Sequence, residues 1–440
     1  MLIYGRVIHT PKRGSISIHN NALLATNEEG RIVAFKDAIP RDKLNDTIDS
    51  LQLGHQRHSL LELSPTQFIL PGLIDTHIHA SQITYTGTAT DIPLMDWLQK
   101  YTFPSERQFE DPAWARKVYD VLVKRLLRNG TTTALYFSSI HLEASKILAD
   151  AALQYGQRAF IGKVCMDQNG AEGYIETTEQ SIEDTKAFIA YCQSKQRPKH
   201  LVPVITPRFL PTCSPDLLKQ LGELARQYDL PIQSHISESL DEVAFVHALY
   251  KDDDITDTEI FDRMGLLTPR SVMAHGVHLS CKDVDTMVAR GSAVAVCPLS
   301  NVYFANGIFP VQPYQKLKLG LGTDVAGGYS PSMLQSIRHC AVASRYLATQ
   351  KDHDPSLVVD WMTALYMATL GGAEALGLQE EVGSFEINKS FDALLVDIAT
   401  RDSPIDLLDD ITPMDMVEKF INLGDDRNIV SVWVSGERKL

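Results

Sequence analysis

What this chain lacks narrows it before any motif does. It has no uninterrupted apolar run of about 18 residues, the length a helix needs to cross a bilayer, and residues 1–10 hold no apolar signal-like core. Its six cysteines, at 165, 192, 213, 281, 297 and 340, contain no Cys-x-x-Cys pair. That scatter suits buried free thiols in a reducing compartment, and no disulfides are expected. Basic excess is missing too: 41 Lys and Arg stand against 55 Asp and Glu, a formal charge of −14, with a pI near 5.4. Such a balance argues against nucleic acid or an anionic membrane as the main partner. No internal repeat or low-complexity stretch interrupts the chain. The expectation is a cytoplasmic protein. The final Arg438-Lys439-Leu440 carries Arg where the peroxisomal Ser-Lys-Leu address has a small residue, a poor match.

What is present fits an enzyme-sized soluble fold. At 440 residues, 44% hydrophobic and 22% charged, there is material for one large domain and a smaller one. Short β-like runs bounded by turn residues occur at 2–8, 16–18 and 31–35, and again at 391–396 and 430–434. Both termini are expected to complete one composite β-sandwich. Between them, apolar runs near 69–75, 131–137, 159–165, 201–206, 231–235, 271–275, 292–297 and 319–323 alternate with helical periodicity, as at 114–128 and 215–228. Eight such units predict an α/β fold of the TIM-type (β/α)8 barrel class. A further helix is expected at 364–375, and the polar stretch 251–258 reads as a solvated loop with an acidic surface run. The domain expectation is 1–68 and 377–440 for the β-sandwich and 69–376 for the barrel.

Chemistry concentrates at the expected strand ends. Pro71-Gly72-Leu73-Ile74-Asp75-Thr76-His77-Ile78-His79-Ala80 finishes an apolar run with two histidines spaced i, i+2, which share one face of a strand. A bare pair of this kind is more often two hydrogen-bonded core histidines. Here Arg208, His235, His275 and Asp324 follow later strands, so all should meet at one mouth. A catalytic zinc takes three or more protein ligands and keeps a position for water, and His77, His79, His235 and Asp324 supply that set. Glu238, three residues after His235, is the natural general acid and base beside it; it is equally a first-turn acid favourable to a helix dipole. Hydrolysis is the expected reaction class.

These residues carry a resemblance. The order Pro-Gly-x-x-Asp-x-His-x-His, a later strand-end His, Ala274-His275-Gly276 and Gly322-Thr323-Asp324 resembles the amidohydrolase superfamily over nearly the whole chain, with Thr369-Leu370-Gly371-Gly372-Ala373 and Gly383-Ser384-Phe385-Glu386 continuing it. Within it, Asp75-Thr76-His77-Ile78-His79-Ala80-Ser81-Gln82, Trp97-Leu98-Gln99-Lys100-Tyr101-Thr102-Phe103-Pro104, Gly162-Lys163-Val164-Cys165-Met166-Asp167 and Thr323-Asp324-Val325-Ala326-Gly327-Gly328-Tyr329 resemble the guanine deaminase family. The resemblance implies a homodimeric enzyme of purine catabolism or salvage with one Zn2+ per chain, hydrolysing guanine to xanthine and ammonia by attack of zinc hydroxide. It implies zinc ligation by His77, His79, His235 and Asp324, and catalysis by Glu238, His275 and Asp324. Ala80, Ser81, Gln82, Arg208 and Phe209 would hold the purine, with His79, His235, Glu238 and Asp324 also facing it. An amide donates and accepts along a base edge, a guanidinium donates to an oxo group, and an aromatic face stacks on the ring.

Other features narrow the class. Members of the superfamily that bridge two metals use a modified lysine at the end of strand four, but the run 202–206 leads to Arg208 instead, which favours one metal; Lys163 on strand three leaves another arrangement open. His141-Leu142-Glu143 mimics half of the His-x-Glu with Pro-Cys-x-x-Cys deaminase design, yet no Cys-x-x-Cys completes it. His278 has no role that can be named. In the loop 298–307, Leu299 and Tyr303-Phe304-Ala305 replace small polar residues, as a cover over a bound base or as simple packing. The alternative substrates are a triazine, a pterin or another aminopurine. A catalytically silent relative is the rival of another class, and a full ligand set opposes it.

Overall fold

Gly72 is where the chain changes sheets. In the computed structural model, which describes residues 1–440 apart from Asp252, Asp253 and Asp409, the single strand expected over 69–75 is two strands. Gln67–Pro71 pairs with Leu2–Lys12 and Ala393–Asp397, whereas Leu73–His79 pairs in parallel with Thr131–Phe137. A Cβ at residue 72 would lie 2.1 Å from the Thr132 hydroxyl oxygen, so only glycine allows the crossing. The second strand runs on to residue 79, which places both histidines inside it rather than beyond its end.

The terminal strands join in one eight-stranded sheet, ordered Glu437–Arg438, Ile429–Val434, Ala393–Asp397, Gln67–Pro71, Leu2–Lys12, Ser15–Thr26 and Ile32–Lys36, with Leu60–Glu62 also on Leu2–Lys12. Alternation along the first strand sends Ile3 and Val7 to a cluster with Ile69, Phe391 and Trp433. Leu2 and Tyr4 go to the opposite face, against Leu44 and Ile48.

The fold is α/β. Every run expected between the terminal segments contains a strand, and from Leu73 onward all their pairings are parallel. Leu73–His79, Thr131–Phe137, Arg158–Gly162 and Leu201–Pro203 form one sheet; Ile232–Ile236, Ser271–His275, Ala293–Val296 and Lys318–Leu321 form another. Between them lie the Val164–Cys165 and Thr206–Pro207 pair and an Ile205–Ile232 bridge. At the far edges the Asp324 N–H donates to the His77 carbonyl (2.9 Å) and the His79 N–H to the Val325 carbonyl (3.1 Å). These strands are buried on both faces, which is why they read as continuous apolar runs.

Two helices stop where expected: Pro112–Arg128, which starts two residues earlier than expected and is capped by the Asp111 side chain, and Pro215–Tyr228, capped by Ser214. The helix expected at 364–375 is two, Trp361–Met367 and Leu370–Ala375. Thr369 leaves the helical region at φ −128° and ψ −100°. Its hydroxyl donates to the Leu365 carbonyl and meets the Thr10 hydroxyl, local bonds that compete with the helix. The loop expected at 251–258 falls partly outside the described residues, and its acidic run is not all surface. Asp257 opens a helix and is buried, accepting the Ser237 N–H (2.7 Å) and O–H (3.1 Å). The cysteines are free; Cys281 is exposed and the others buried. Among the described residues no helix is long and apolar enough to cross a membrane.

Candidate active site

Five side chains from the ends of four strands meet in the interior. Asp324 Oδ1 lies 3.2 Å from His77 Nε2 and 3.5 Å from His79 Nε2. The Nε2 atoms of His79 and His235 are 3.0 Å apart, and the His275 ring centroid is 5.3 Å from those of both His77 and His235. His275, Asp324 and Ser237 take left-handed backbone angles (φ 74°, 47° and 45°), a conformation that non-glycine residues adopt only where their surroundings impose it. Asp75 ties the first strand to the last, accepting the Thr323 N–H (3.0 Å), the Thr323 O–H (2.5 Å) and the His77 N–H (3.2 Å). Burial pushes its carboxyl up to about 7.

Ring orientation is set from behind. His235 Nδ1–H donates to the Arg208 carbonyl (2.6 Å), and His275 Nδ1–H to Asn301 Oδ1 (2.8 Å), leaving each Nε2 lone pair facing the cluster. Burial, then neighbouring positive charge, holds His77, His79 and His235 well below the usual histidine range, so they are neutral imidazoles. Burial raises Asp324. Burial and then the Asp324 charge raise Glu238 well above the usual carboxyl range.

This donor set fits a divalent metal. His77 Nε2, His275 Nε2 and His79 Nδ1 are buried without hydrogen-bond partners. Ligand atoms of His77, His79 and Asp324 lie within 4.8 Å of one another, as do those of His77, His235 and His275, and those of Glu238, His275 and Asp324. Neutral nitrogens beside one carboxylate are what zinc and similar ions take.

A pocket opens beside the cluster. His79, Gln82, Arg208, Phe209, His235, Glu238, His275 and Asp324 face it, as does an apolar wall of Leu94, Trp97, Leu98 and Phe304. Gly327 completes the rim; a Cβ there would sit 2.8 Å from Asp324 Oδ2. His77 is buried behind the wall. Ala80 and Ser81 are not part of it: Ala80 is packed inside, and the Ser81 hydroxyl donates to the Ser138 carbonyl (2.9 Å). In the loop 298–307 the two alternatives divide by residue. Phe304 faces the pocket against Trp97 (4.8 Å between rings), whereas Tyr303 points outward to Tyr329.

Some sequence candidates lie elsewhere. Lys163 is paired with Glu176 (2.5 Å), outside the cluster. His141 precedes the helix Leu142–Tyr155 and packs on Tyr174. His278 does not line the pocket. Others escaped the sequence reading: Asn301, which orients His275, and Glu106, which receives Gln82 and Arg208. Glu106 follows the Trp97-to-Pro104 motif by two residues, and only its burial sets it apart from a surface acid.

The amidohydrolase family model matches residues 68–439. The chain belongs to this family. It is 43% identical to a guanine deaminase of Homo sapiens over 99% of this chain and 95% of that protein. A solved guanine deaminase from C. acetobutylicum with guanine in its active site superposes with a TM-score of 0.90 at 31% identity, covering 99% of each chain. An adenosine deaminase from Xanthomonas campestris with bound zinc gives 0.82 at 25%, covering 100% of this chain and 92% of that one. Amidohydrolases are typically metal-dependent, and in this one the buried imidazoles and Asp324 form the cluster suited to an ion.

Proposed function

We propose that this amidohydrolase is a zinc-dependent guanine deaminase that hydrolyses guanine to xanthine and ammonia. The observation that carries the reading is one pocket faced by a buried His and Asp cluster, by Glu238, whose carboxyl is raised by burial and by Asp324, and by the Gln82 and Arg208 pair. Its relatives named guanine deaminases support it. His77, His79, His235 and Asp324 would hold a single zinc. When bound, zinc supplies Lewis acidity that makes water acidic enough to act as hydroxide at neutral pH.

The chain's own groups do the rest. Gln82 and Arg208 hold the base edge, and Phe209 covers a ring face. Glu238 donates its proton to the ring nitrogen beside carbon 2, which makes that carbon electrophilic. Water oxygen bonds to carbon 2 while Asp324 and His275 hold its proton. Glu238, now ionised, carries that proton to the exocyclic amine; the carbon–nitrogen bond breaks, ammonia leaves, and the remaining hydroxyl proton passes to Glu238 as the oxygen becomes the 2-oxo group, restoring the carboxylic acid. Leu94, Trp97, Leu98 and Phe304 exclude bulk water around the base.

The same reading includes a closed (β/α)8 barrel over 69–376, supported by parallel pairings ending in the 77–79 to 324–325 backbone bonds. It takes the terminal sheet as a small sandwich formed by 1–68 and 377–440, with apolar side chains on both faces. A cytoplasmic homodimer serving purine breakdown or salvage completes it.

The test is xanthine and ammonia formation by zinc-loaded protein given guanine, with adenine and a chelated sample alongside. Guanine-selective, chelator-sensitive turnover is the expected result. No product with zinc bound would overturn the substrate and leave the metal site standing.

A further inference from the structure

We propose that Glu106 is the positioning residue for base recognition, a buried carboxylate that sets the orientation of both Arg208 and Gln82. The inference rests on reading the pocket as a purine site. Glu106 lies in the short helix Phe103–Arg107 and is fully buried, yet it does not line the pocket. Four donors converge on it: Arg208 Nη1 on Oε2 (2.6 Å), Arg208 Nη2 on Oε1 (3.1 Å), Gln82 Nε2 on Oε1 (2.9 Å) and the Tyr174 hydroxyl on Oε2 (2.6 Å). A carboxylate has about four acceptor sites, so this one is saturated.

Saturation has consequences for both partners. Arg208 carries a full charge in a dry interior, and its fork is matched by two carboxylate oxygens, so the guanidinium plane is fixed rather than free to swing. The Phe103 ring, 5.1 Å from the guanidinium carbon, supports that plane from one side. Gln82 is held at both ends, because its Nε2 donates to Glu106 and its Oε1 accepts the Ala326 N–H (3.1 Å). A flipped amide would set oxygen against carboxylate and N–H against N–H. The amide therefore presents one defined N–H and one defined lone pair to the base. Tyr174, whose oxygen also accepts the Ile140 N–H (3.2 Å), anchors Glu106 from outside the pocket.

A carboxylate kept only for packing would leave guanine binding unchanged when replaced by a group of its own shape. Glu106→Gln keeps the shape, loses the charge and turns two donors toward donors. It is expected to raise the guanine KM by about tenfold to a hundredfold. kcat should fall less, while zinc content and the pH profile of kcat stay as in the wild type. Tyr174→Phe, which removes one donor outside the pocket, should raise KM in the same direction by a smaller factor. A KM within about twofold of wild type in Glu106→Gln overturns the proposal. If Glu106→Gln does not fold, an unchanged KM in Tyr174→Phe does so. A crystal structure of either variant gives a readout independent of the substrate. Displaced Arg208 or a turned Gln82 amide supports the proposal even if wild type ignores guanine, and unmoved side chains overturn it.

Discussion

A carboxyl group in water is ionised at neutral pH and has no proton to give; Glu238 is different because it is buried beside Asp324. Both burial and the neighbouring charge disfavour its ionised form. Removing only its acidity isolates that function: Glu238→Gln should retain zinc while kcat drops by about a hundredfold to ten-thousandfold. Steady-state rates with metal content by atomic absorption check this, and wild-type turnover in the variant would sink the assigned role. At this scale the sequence exposed what strand-end spacing exposes. His77, His79, His235, His275 and Asp324 were legible because parallel strands deliver their ends to one mouth. Glu106 and Asn301 were not, because each acts through a partner, and neither type nor spacing announces that a side chain is buried behind a pocket wall. Ala80 and Ser81 show the converse: they follow His79 in the chain but turn away from the pocket.

Elements were legible where one signal dominated. Pro215–Tyr228 has a Ser cap, a proline in its first turn and an amphipathic face, all agreeing. The strand before the histidines was misdrawn because Gly72 reads as a break within one apolar run, although it marks a change of partner. Thr369 divides a helix through side-chain bonds to distant Thr10 that periodicity cannot register. The strand Leu2–Lys12 offers a test at this scale, since His9 Nδ1 accepts the Phe385 N–H (3.2 Å) and links it to the C-terminal segment. Burial, then the nearby His19, lowers His9 from 6.5 to about 4. The unfolded chain therefore takes up this proton near pH 6.5 and the folded chain only near pH 4, so stability is full above that window and falls as pH drops through it. The contribution is about 3 kcal/mol across the window. His9→Asn keeps an acceptor and cannot titrate. Urea unfolding at several pH values should show a shallower acid loss in the variant; equal slopes would refute the linkage.

For the whole molecule the question is whether the terminal sheet and the parallel strands unfold together. Gln67–Pro71 and Leu73–His79 are consecutive along one chain with only Gly72 between them, so neither sheet can lose its strand without disturbing the other. A buried ion pair joins them again at a distance. Arg158, at the start of a parallel strand, meets Asp392 beside the strand Ala393–Asp397 (Nη2 to Oδ2 3.2 Å), and both side chains are almost fully buried. Asp392 Oδ1 also accepts the Ser435 N–H (2.8 Å) and the Ser390 hydroxyl (2.9 Å), drawing the C-terminal turn into the junction. Removing the carboxylate charge strands a guanidinium in the interior, which costs about 3 to 5 kcal/mol. Asp392→Asn should therefore lower the urea midpoint of a single transition without changing its slope, and kcat of the folded enzyme should hold because the junction lies outside the pocket. A variant that unfolds in two separated steps would show that the ion pair, rather than the shared chain at Gly72, makes the molecule cooperative.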